Sequence, residues 1–336
     1  VERKTIALPI GWGVIGCGDI ADKRVAPAIN AQADSDLVAF FSHTKPRAEE
    51  FARRHNARRA YDDLRAFLAD PEINAVYVAS PQYRHCHETV AAAQSGRHVL
   101  CEKPMAMNVA ECRRMVDACK ANNICLSVAY YRRFYPKARK MKEMLERGAI
   151  GRLVQGSISM IRLWNTAPSD PKYWRVTAKA SSGGGLADTG SHRLDLLCYL
   201  LGEPESVAGF ADRMALDIEV PDVETLVVRM KSGAHIVSRH ALCTPASQDD
   251  FELFGTRGCL LASPLDGDEL TMISDGKSET FHLPKHPNVH FPLINDFASR
   301  LSRGEKPEFD GASGMQASRI IDGCYESART GRVVLV

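Results

Sequence analysis

The 336 residues suffice for roughly two domains, and 45% hydrophobic against 25% charged residues is the balance of a chain that folds around a sizeable core. A formal net charge of +2, with no basic run interleaved with aromatics, argues against a dedicated nucleic-acid binder. No apolar stretch reaches the about 18 residues of a membrane helix, and Val1-Glu2-Arg3-Lys4 leads toward a strand broken by Pro9, not into a signal-peptide core.

The first predicted element is a strand running from Ile10 into 13–21, Gly-Val-Ile-Gly-Cys-Gly-Asp-Ile-Ala. A helical pattern over 20–32 follows, with Pro27 a local irregularity. Strand, glycine turn and helix form the order of a dinucleotide fold, and Gly16, Gly18 and Ala21 fit its G-x-G-x-x-G/A spacing. Gly16 permits a sharp turn. Gly18 has no Cβ to hold a pyrophosphate away from the backbone, and Ala21 lets the helix pack close to the strand. The helix N-terminus offers free N–H groups and a partial positive charge.

Apolar runs at 37–41, 75–79, 98–101 and 124–129 read as buried strands, with helices expected at 46–55, 63–70, 87–95 and 109–122. This alternation predicts a doubly wound parallel sheet, an α/β Rossmann domain over 1–130.

Beyond Gly148-Ala149-Ile150-Gly151 the pattern changes. Strands are expected at 154–163, 224–230, 235–240, 251–254 and 269–273, with one helix at 191–201 stopped by Gly202 and Pro204. Helices at 291–303 and 313–330 close the chain, the last able to return to the first domain. The second domain, 131–336, is therefore read as α+β: an open, mostly antiparallel sheet with helices on one face. Its other face suits a homodimer or homotetramer contact. The ten cysteines form no C-x-x-C pair, which indicates neither a zinc knuckle nor a redox pair and fits a reducing cytoplasm.

In a dinucleotide fold, a carboxylate after the second strand receives the ribose 2′-hydroxyl of NAD. Here Phe41 is followed by Ser42, His43, Thr44 and Lys45, while Asp34 and Asp36 lie at the strand's other end. Hydroxyls on Ser42 and Thr44, with charge on Lys45 and Arg47, suit a 2′-phosphate, so NADP(H) is expected over NAD(H).

Cys101-Glu102-Lys103-Pro104 ends a buried strand, the edge where open α/β sheets bind ligands. Lys103 there fits a bond to a substrate oxygen, and equally a solvated loop lysine. In 183–195, Gly-Gly-Gly-Leu-Ala-Asp-Thr-Gly-Ser-His-Arg-Leu-Asp, Asp188 and His192 stand four apart near a helix start. The glycines permit close backbone approach, as beside a ligand. Alone, Asp188 also fits a helix cap and His192 a core histidine. Asp188, His192 and Asp195 share a helical face, and His85 and His87 flank a helix start, but no metal is expected at either place.

Taken together these stretches resemble the glucose–fructose oxidoreductase / inositol dehydrogenase / rhizopine-catabolism (Gfo/Idh/MocA) family over nearly the whole chain. The matching residues are the Gly16 turn, Ser80-Pro81-Gln82-Tyr83-Arg84-His85, Glu102-Lys103-Pro104, Arg133-Phe134 with Pro136, Trp174-Arg175, the 183–195 block and Glu326-Ser327-Ala328-Arg329-Thr330-Gly331. Gln82 stands where the family usually has Asn. The 42–47 run is similar to that of NADP-using anhydrofructose reductases, with Ser42 and Arg47 at the 2′-phosphate positions.

The resemblance implies reversible hydride transfer between nicotinamide and a sugar or polyol carbon. It implies His192 as general acid/base, Lys103 at the same or a neighbouring oxygen and Asp188 as orienter, with Lys103 and His192 able to exchange the proton role. Cofactor contacts are implied at Gly16, Gly18, Asp19, Ile20, Ser42, His43, Thr44, Arg47, Ser80, Pro81, Gln82, His85, Glu102 and Lys103. Tyr131, Arg133, Trp174 and Arg175 line the substrate cleft or pack in the core. Two alternatives stand beside this reading: a glycosidase holding NAD tightly, and a nucleotide-sensing regulator, which would be free to lose Lys103 or His192.

Overall fold

The structure, a computed structural model, describes residues 6–336; the expectation for 1–4 lies outside the described residues. The chain divides into two units. The first runs to Tyr131 and takes in His286–Met315; the second comprises Arg132–Lys285 and Gln316–Val336.

The first unit is built on strands β1 (Ile10–Ile15), β2 (Ser35–Phe41), β3 (Arg59–Tyr61), β4 (Ala75–Val78), β5 (His98–Cys101) and β6 (Leu126–Val128). They lie in the order β3-β2-β1-β4-β5-β6, every pair parallel. This is the doubly wound dinucleotide order, which reverses between β1 and β4 and opens a crevice at their carboxyl ends. Strands covered on both faces must be apolar throughout, and all six residues of β1 are buried.

Helix α1 (Ala26–Asn30) is preceded by a wide π-turn at Ala21–Val25, just where Pro27 cannot donate to the helical ladder. Helices α2 (Lys45–His55), α3 (Leu64–Ala69), α4 (Gln82–Gln94) and α5 (Val109–Ala121) connect the strands. Asp63 caps α3 by accepting from Ala66 N at 2.6 Å, and Asn108 caps α5 by accepting from Glu111 N at 2.9 Å.

One correction falls here. α4 begins at Gln82, five residues before its expected start, directly after the extended Pro81; His85 and His87 therefore lie inside the helix. The three-residue strand β3 has too short a pattern to register in sequence.

The later segment reaches this unit through Asn288, whose Nδ2 donates to Arg24 O at 2.8 Å. It continues as helix α8 (Phe291–Ser302), where Phe297 packs 5.7 Å from the Trp12 ring.

The second unit opens with α6 (Pro136–Glu146), a helix the sequence reading passed over. Its sheet comprises β7 (Leu153–Leu163), β8 (Pro204–Asp212), β9 (Val223–Met230), β10 (His235–Ala241), β11 (Cys243–Gly255), β12 (Gly258–Ala262), β13 (Glu269–Ser274), β14 (Lys277–His282) and β15 (Val334–Leu335). The order is β14-β13-β12-β11-β7-β10-β9-β8-β15, antiparallel except where β7 meets β10. Helix α7 (Ser191–Leu201) ends at Gly202, as expected, and the unit boundary falls within α9 (Gly311–Thr330).

The sheet's two faces differ sharply. Along β9, Glu224, Leu226, Val228 and Met230 are buried while Thr225, Val227 and Arg229 are exposed. Strand β8 went unread because Pro204 and Gly209 argue locally against a strand. Among the described residues no helix is long and apolar enough to cross a membrane.

Candidate active site

In the first unit the glycine turn leaves β1 at the crevice. Gly16 has φ +102°, and a Cβ there would press on the Ala79–Ser80 backbone at 2.8 Å. Only glycine takes that turn and that approach. A Cβ on Gly18 would meet nothing within 4 Å, so this edge faces open space where a phosphate can approach the backbone. These residues fit a dinucleotide. Asp19 is exposed and pairs with Lys23 at 3.4 Å, while Ile20 is half-buried and leads into the helix.

The turn after β2 contains no carboxylate. Arg47 Nε and an Nη both donate to Cys17 O at 3.2 Å, and its guanidinium lies over the Phe51 ring. This ties the 42–47 turn to the glycine loop. Thr44 N donates to Ser42 Oγ at 3.4 Å. Lys45 points elsewhere, its Nζ donating to Ala60 O at 2.6 Å. Arg84, which the sequence reading did not single out, lies against the His43 imidazole and adds a second guanidinium at this turn.

The loops after β4 and β5 are tied together from inside. His85, 1% exposed, faces Ser80 O at 2.8 Å and Pro104 O at 3.0 Å. Burial pulls its pKa below the ordinary value. Pro81 caps α4. Gln82 is buried and donates to Ala106 O at 2.7 Å. Ser80 Oγ donates to Glu88, whose carboxyl burial pushes up to about 7.

Glu102 is buried as well. It accepts from Tyr77 OH at 2.8 Å and from Lys103 N at 3.1 Å, and its Oε1 lies 3.0 Å from His290 Nε2. Burial would raise its carboxyl, but His290, Lys103 and Tyr77 together hold it below the ordinary value. His85 and Glu102 thus act from within, fixing the loops that carry Ser80 and Lys103. His290, 188 residues away in sequence from Glu102, was invisible to pattern reading. Its ring lies 4.9 Å from that of Tyr131.

In the second unit, Asp188 sits on a π-turn, Leu186–Gly190, that runs directly into α7 and so carries Asp188 and His192 one turn apart. The glycine block is explained by packing against protein. A Cβ on Gly183 would overlap the Tyr325 hydroxyl. One on Gly184 would overlap Pro221 O, and one on Gly190 would come within 2.7 Å of the His240 ring. The expectation that these glycines face a ligand is corrected: protein atoms fill those spaces.

Beneath them, Glu224 and His240 are cross-strand partners on the buried face. Glu224 Oε1 accepts from Leu186 N and Tyr325 OH, both at 3.3 Å. Burial pushes Glu224 up to about 8. Burial, with Arg193, takes His240 down to about 3, so both are neutral at physiological pH.

Arg133 and Asp195 form a buried two-point ion pair with Nε–Oδ2 at 2.7 Å. Burial raises Asp195 to about 6 against the pull of Arg133. Arg133 therefore anchors α7 in the core, and Asp195 is engaged with a cation already. Asp188 is held differently, with Arg162 Nη at 3.4 Å and Arg175 Nη at 3.6 Å. Arg175 follows half-buried Trp174 in a short helical turn, Tyr173–Val176. Arg162, on β7, was not foreseen. Among the described residues no three His, Cys, Asp or Glu side chains converge as a metal cluster.

A six-stranded Rossmann sheet with an open glycine turn defines the class: a protein with a dinucleotide-binding fold. Residues 10–130 match the model of the oxidoreductase family with NAD-binding Rossmann fold, and residues 138–261 match the GFO/IDH/MocA C-terminal domain. The chain belongs to the Gfo/Idh/MocA oxidoreductase family. It is 30% identical to oxidoreductase P35 of Formosa agariphila, covering 85% of this chain and 88% of that protein. It is also 30% identical to a D-xylose 1-dehydrogenase (NADP(+)) of Haloferax volcanii, over 96% of this chain and 98% of the other. A levoglucosan dehydrogenase solved with NADH and L-sorbose superposes with a TM-score of 0.90 at 25% identity, covering 97% of this chain and 98% of that one.

Proposed function

We propose that the protein is an NADP(H)-preferring oxidoreductase acting between nicotinamide and a hydroxyl or carbonyl carbon of a sugar, polyol or sugar derivative. The carbohydrate names borne by its relatives support that substrate class. When bound, the nicotinamide supplies or accepts the hydride. The chain supplies the rest. A carbinol losing hydride must also lose its hydroxyl proton, and His192 takes it, returning it in the reverse direction. Lys103 stabilises the negative charge developing on that oxygen. Asp188, one turn before His192, orients the imidazole or holds a substrate hydroxyl.

The observation that carries the cofactor choice is the carboxylate-free turn after Phe41, with Arg47 laid over the glycine loop at Cys17 O. A 2′-phosphate there meets guanidinium and hydroxyl donors, and competes with Glu50, 2.9 Å from Arg47 Nη1, for one edge of that guanidinium. Titration of NADPH and NADH by cofactor fluorescence tests this. NADPH is expected to bind more tightly, and Arg47→Ala to weaken NADPH about 10-fold or more, the loss of one charge-assisted bond, with little effect on NADH. Equal or tighter NADH binding in the parent protein overturns it. A screen of sugars and inositols against cofactor absorbance then identifies the substrate. The open face of the second unit's sheet supports a homodimer or homotetramer, and ten free cysteines fit a reducing, cytoplasmic setting.

A further inference from the structure

Two ways of holding a carboxylate occur within the second unit. Arg133 grips Asp195 at two points, buried, with Nε–Oδ2 at 2.7 Å, the geometry of a pair built to be permanent. Asp188 is shared loosely between two arginines, at 3.4 and 3.6 Å, longer than a charge-assisted hydrogen bond prefers. Two guanidinium groups thus converge on the Asp188 carboxylate without either gripping it at two points.

The surroundings sharpen the point. Arg162 Nε, Arg175 Nε and Trp164 Nε1 are shut away from solvent, with no hydrogen-bond partner among the described residues. All are donors. Each guanidinium lies over an indole, Arg162 5.8 Å from the Trp164 ring centre and Arg175 5.6 Å from that of Trp174. Trp164 is itself packed on the Val176, Ile218 and Val220 core. One edge of each fork is thus desolvated and its plane is covered. Arg162 and Arg175 nonetheless remain 40% and 28% exposed at the side chain, so an outer N–H edge of each meets solvent. Two guanidinium groups with unpartnered donors and solvent-facing edges attract an anion. Planar guanidinium forks match a carboxylate in particular.

We propose that the substrate carries a carboxylate, a sugar acid such as an aldonate or uronate, received by Arg162 and Arg175 beside Asp188. This rests on the oxidoreductase reading above, with Asp188 next to the reacting carbon, and names the substrate class of that site. A dianionic phosphate meets stronger repulsion from the Asp188 carboxylate than a monoanion does and fits less well.

The test pairs each neutral compound with its acid: D-glucose with D-glucuronate, and D-glucitol with D-gluconate, with glucose 6-phosphate added. kcat/KM is read from cofactor absorbance, and binding from quenching of tryptophan fluorescence, which Trp164 and Trp174 report without turnover. The acid of a pair is expected to exceed its neutral partner by about 10–100-fold, the effect of a hydrogen-bonded charge. Arg162→Gln should erase most of that ratio, whereas Arg162→Lys should restore part of it. Turnover of the neutral compounds with no advantage for the acids overturns the subsite and leaves the oxidoreductase reading standing. Acids that quench fluorescence, lose quenching in Arg162→Gln and are never turned over support the subsite while removing the proposed reaction. A preference for the phosphate overturns the carboxylate assignment.

Discussion

A histidine and an aspartate one helical turn apart, and a lysine at the end of a parallel strand, are ordinary residues; their chemistry depends on what holds them. Lys103 follows a glutamate locked by Tyr77 and His290, which fixes the backbone from which the lysine projects. His192 is only 3% exposed, so its ring is packed and does not swing freely. If it moves the proton, His192→Ala lowers turnover by about 10²–10⁴-fold, with NADPH affinity nearly unchanged because the proposed phosphate contacts at Gly16 and Gly18 do not involve it. Lys103→Ala is expected to cost a similar factor with a larger rise in KM, and the double variant less than the product of the two, since a single proton-transfer site is then removed twice. Steady-state kinetics with melting temperatures checks this; a stable His192→Ala that keeps most of its turnover transfers the acid/base role to Lys103. As candidates these residues were legible because chain order and local spacing mark them. Glu88, His290 and Arg162 were not, since each joins its cluster through the fold and carries no local signature.

The element that matters most is the π-turn with α7, pressed so closely onto β9, β10 and α9 that Gly183, Gly184 and Gly190 leave no space for a Cβ. Glu224 lies under its first turn as a neutral acid bonded to Leu186 N and Tyr325 OH. Its folded pKa of about 8 stands above the ordinary 4.5. The folded state therefore holds a proton that the unfolded chain releases between those values. The stability this contributes is complete below about 4.5 and is lost as pH rises through about 8. Glu224→Gln keeps the shape without the titration. Its melting temperature should match the parent at about pH 5 and exceed it increasingly toward about pH 8. Calorimetric scans that stay parallel across that range would show Glu224 to be ionised in the fold. Subtracting the parent's curve removes the shared contributions of Glu88 and Asp195, which burial shifts in the same direction. Element by element, long periodic segments such as α7 and the buried strands of the first unit were readable from sequence. Strand β8 was not, because cross-strand pairing outweighs the local discouragement of Pro204 and Gly209.

At the scale of the whole molecule the feature that calls for a partner is the second unit's nine-stranded sheet, whose outer face carries exposed apolar side chains among the described residues. Phe210 is 75% exposed and Leu335 81%, and Val227 pairs across strands with Val237 on the same face. Apolar side chains scattered singly are unremarkable, but here they recur along paired strands from β15 to β10, interleaved with Thr225 and Arg239. A face of mixed apolar and hydroxyl character suits a second copy related by a twofold axis, where like strands meet and each exposed residue is used twice. Light scattering at micromolar concentration should return a dimer or tetramer mass. Phe210→Asp with Val227→Asp would bury unpaired carboxylates at such a contact, costing at least about 3 kcal/mol and raising the dissociation constant about 100-fold or more. Both residues lie on the outer face, so the fold should survive, which circular dichroism verifies. A parent protein of monomeric mass, or an Asp variant whose mass does not change, would assign the sheet to some other contact and leave Phe210 and Val227 as surface residues without a partner.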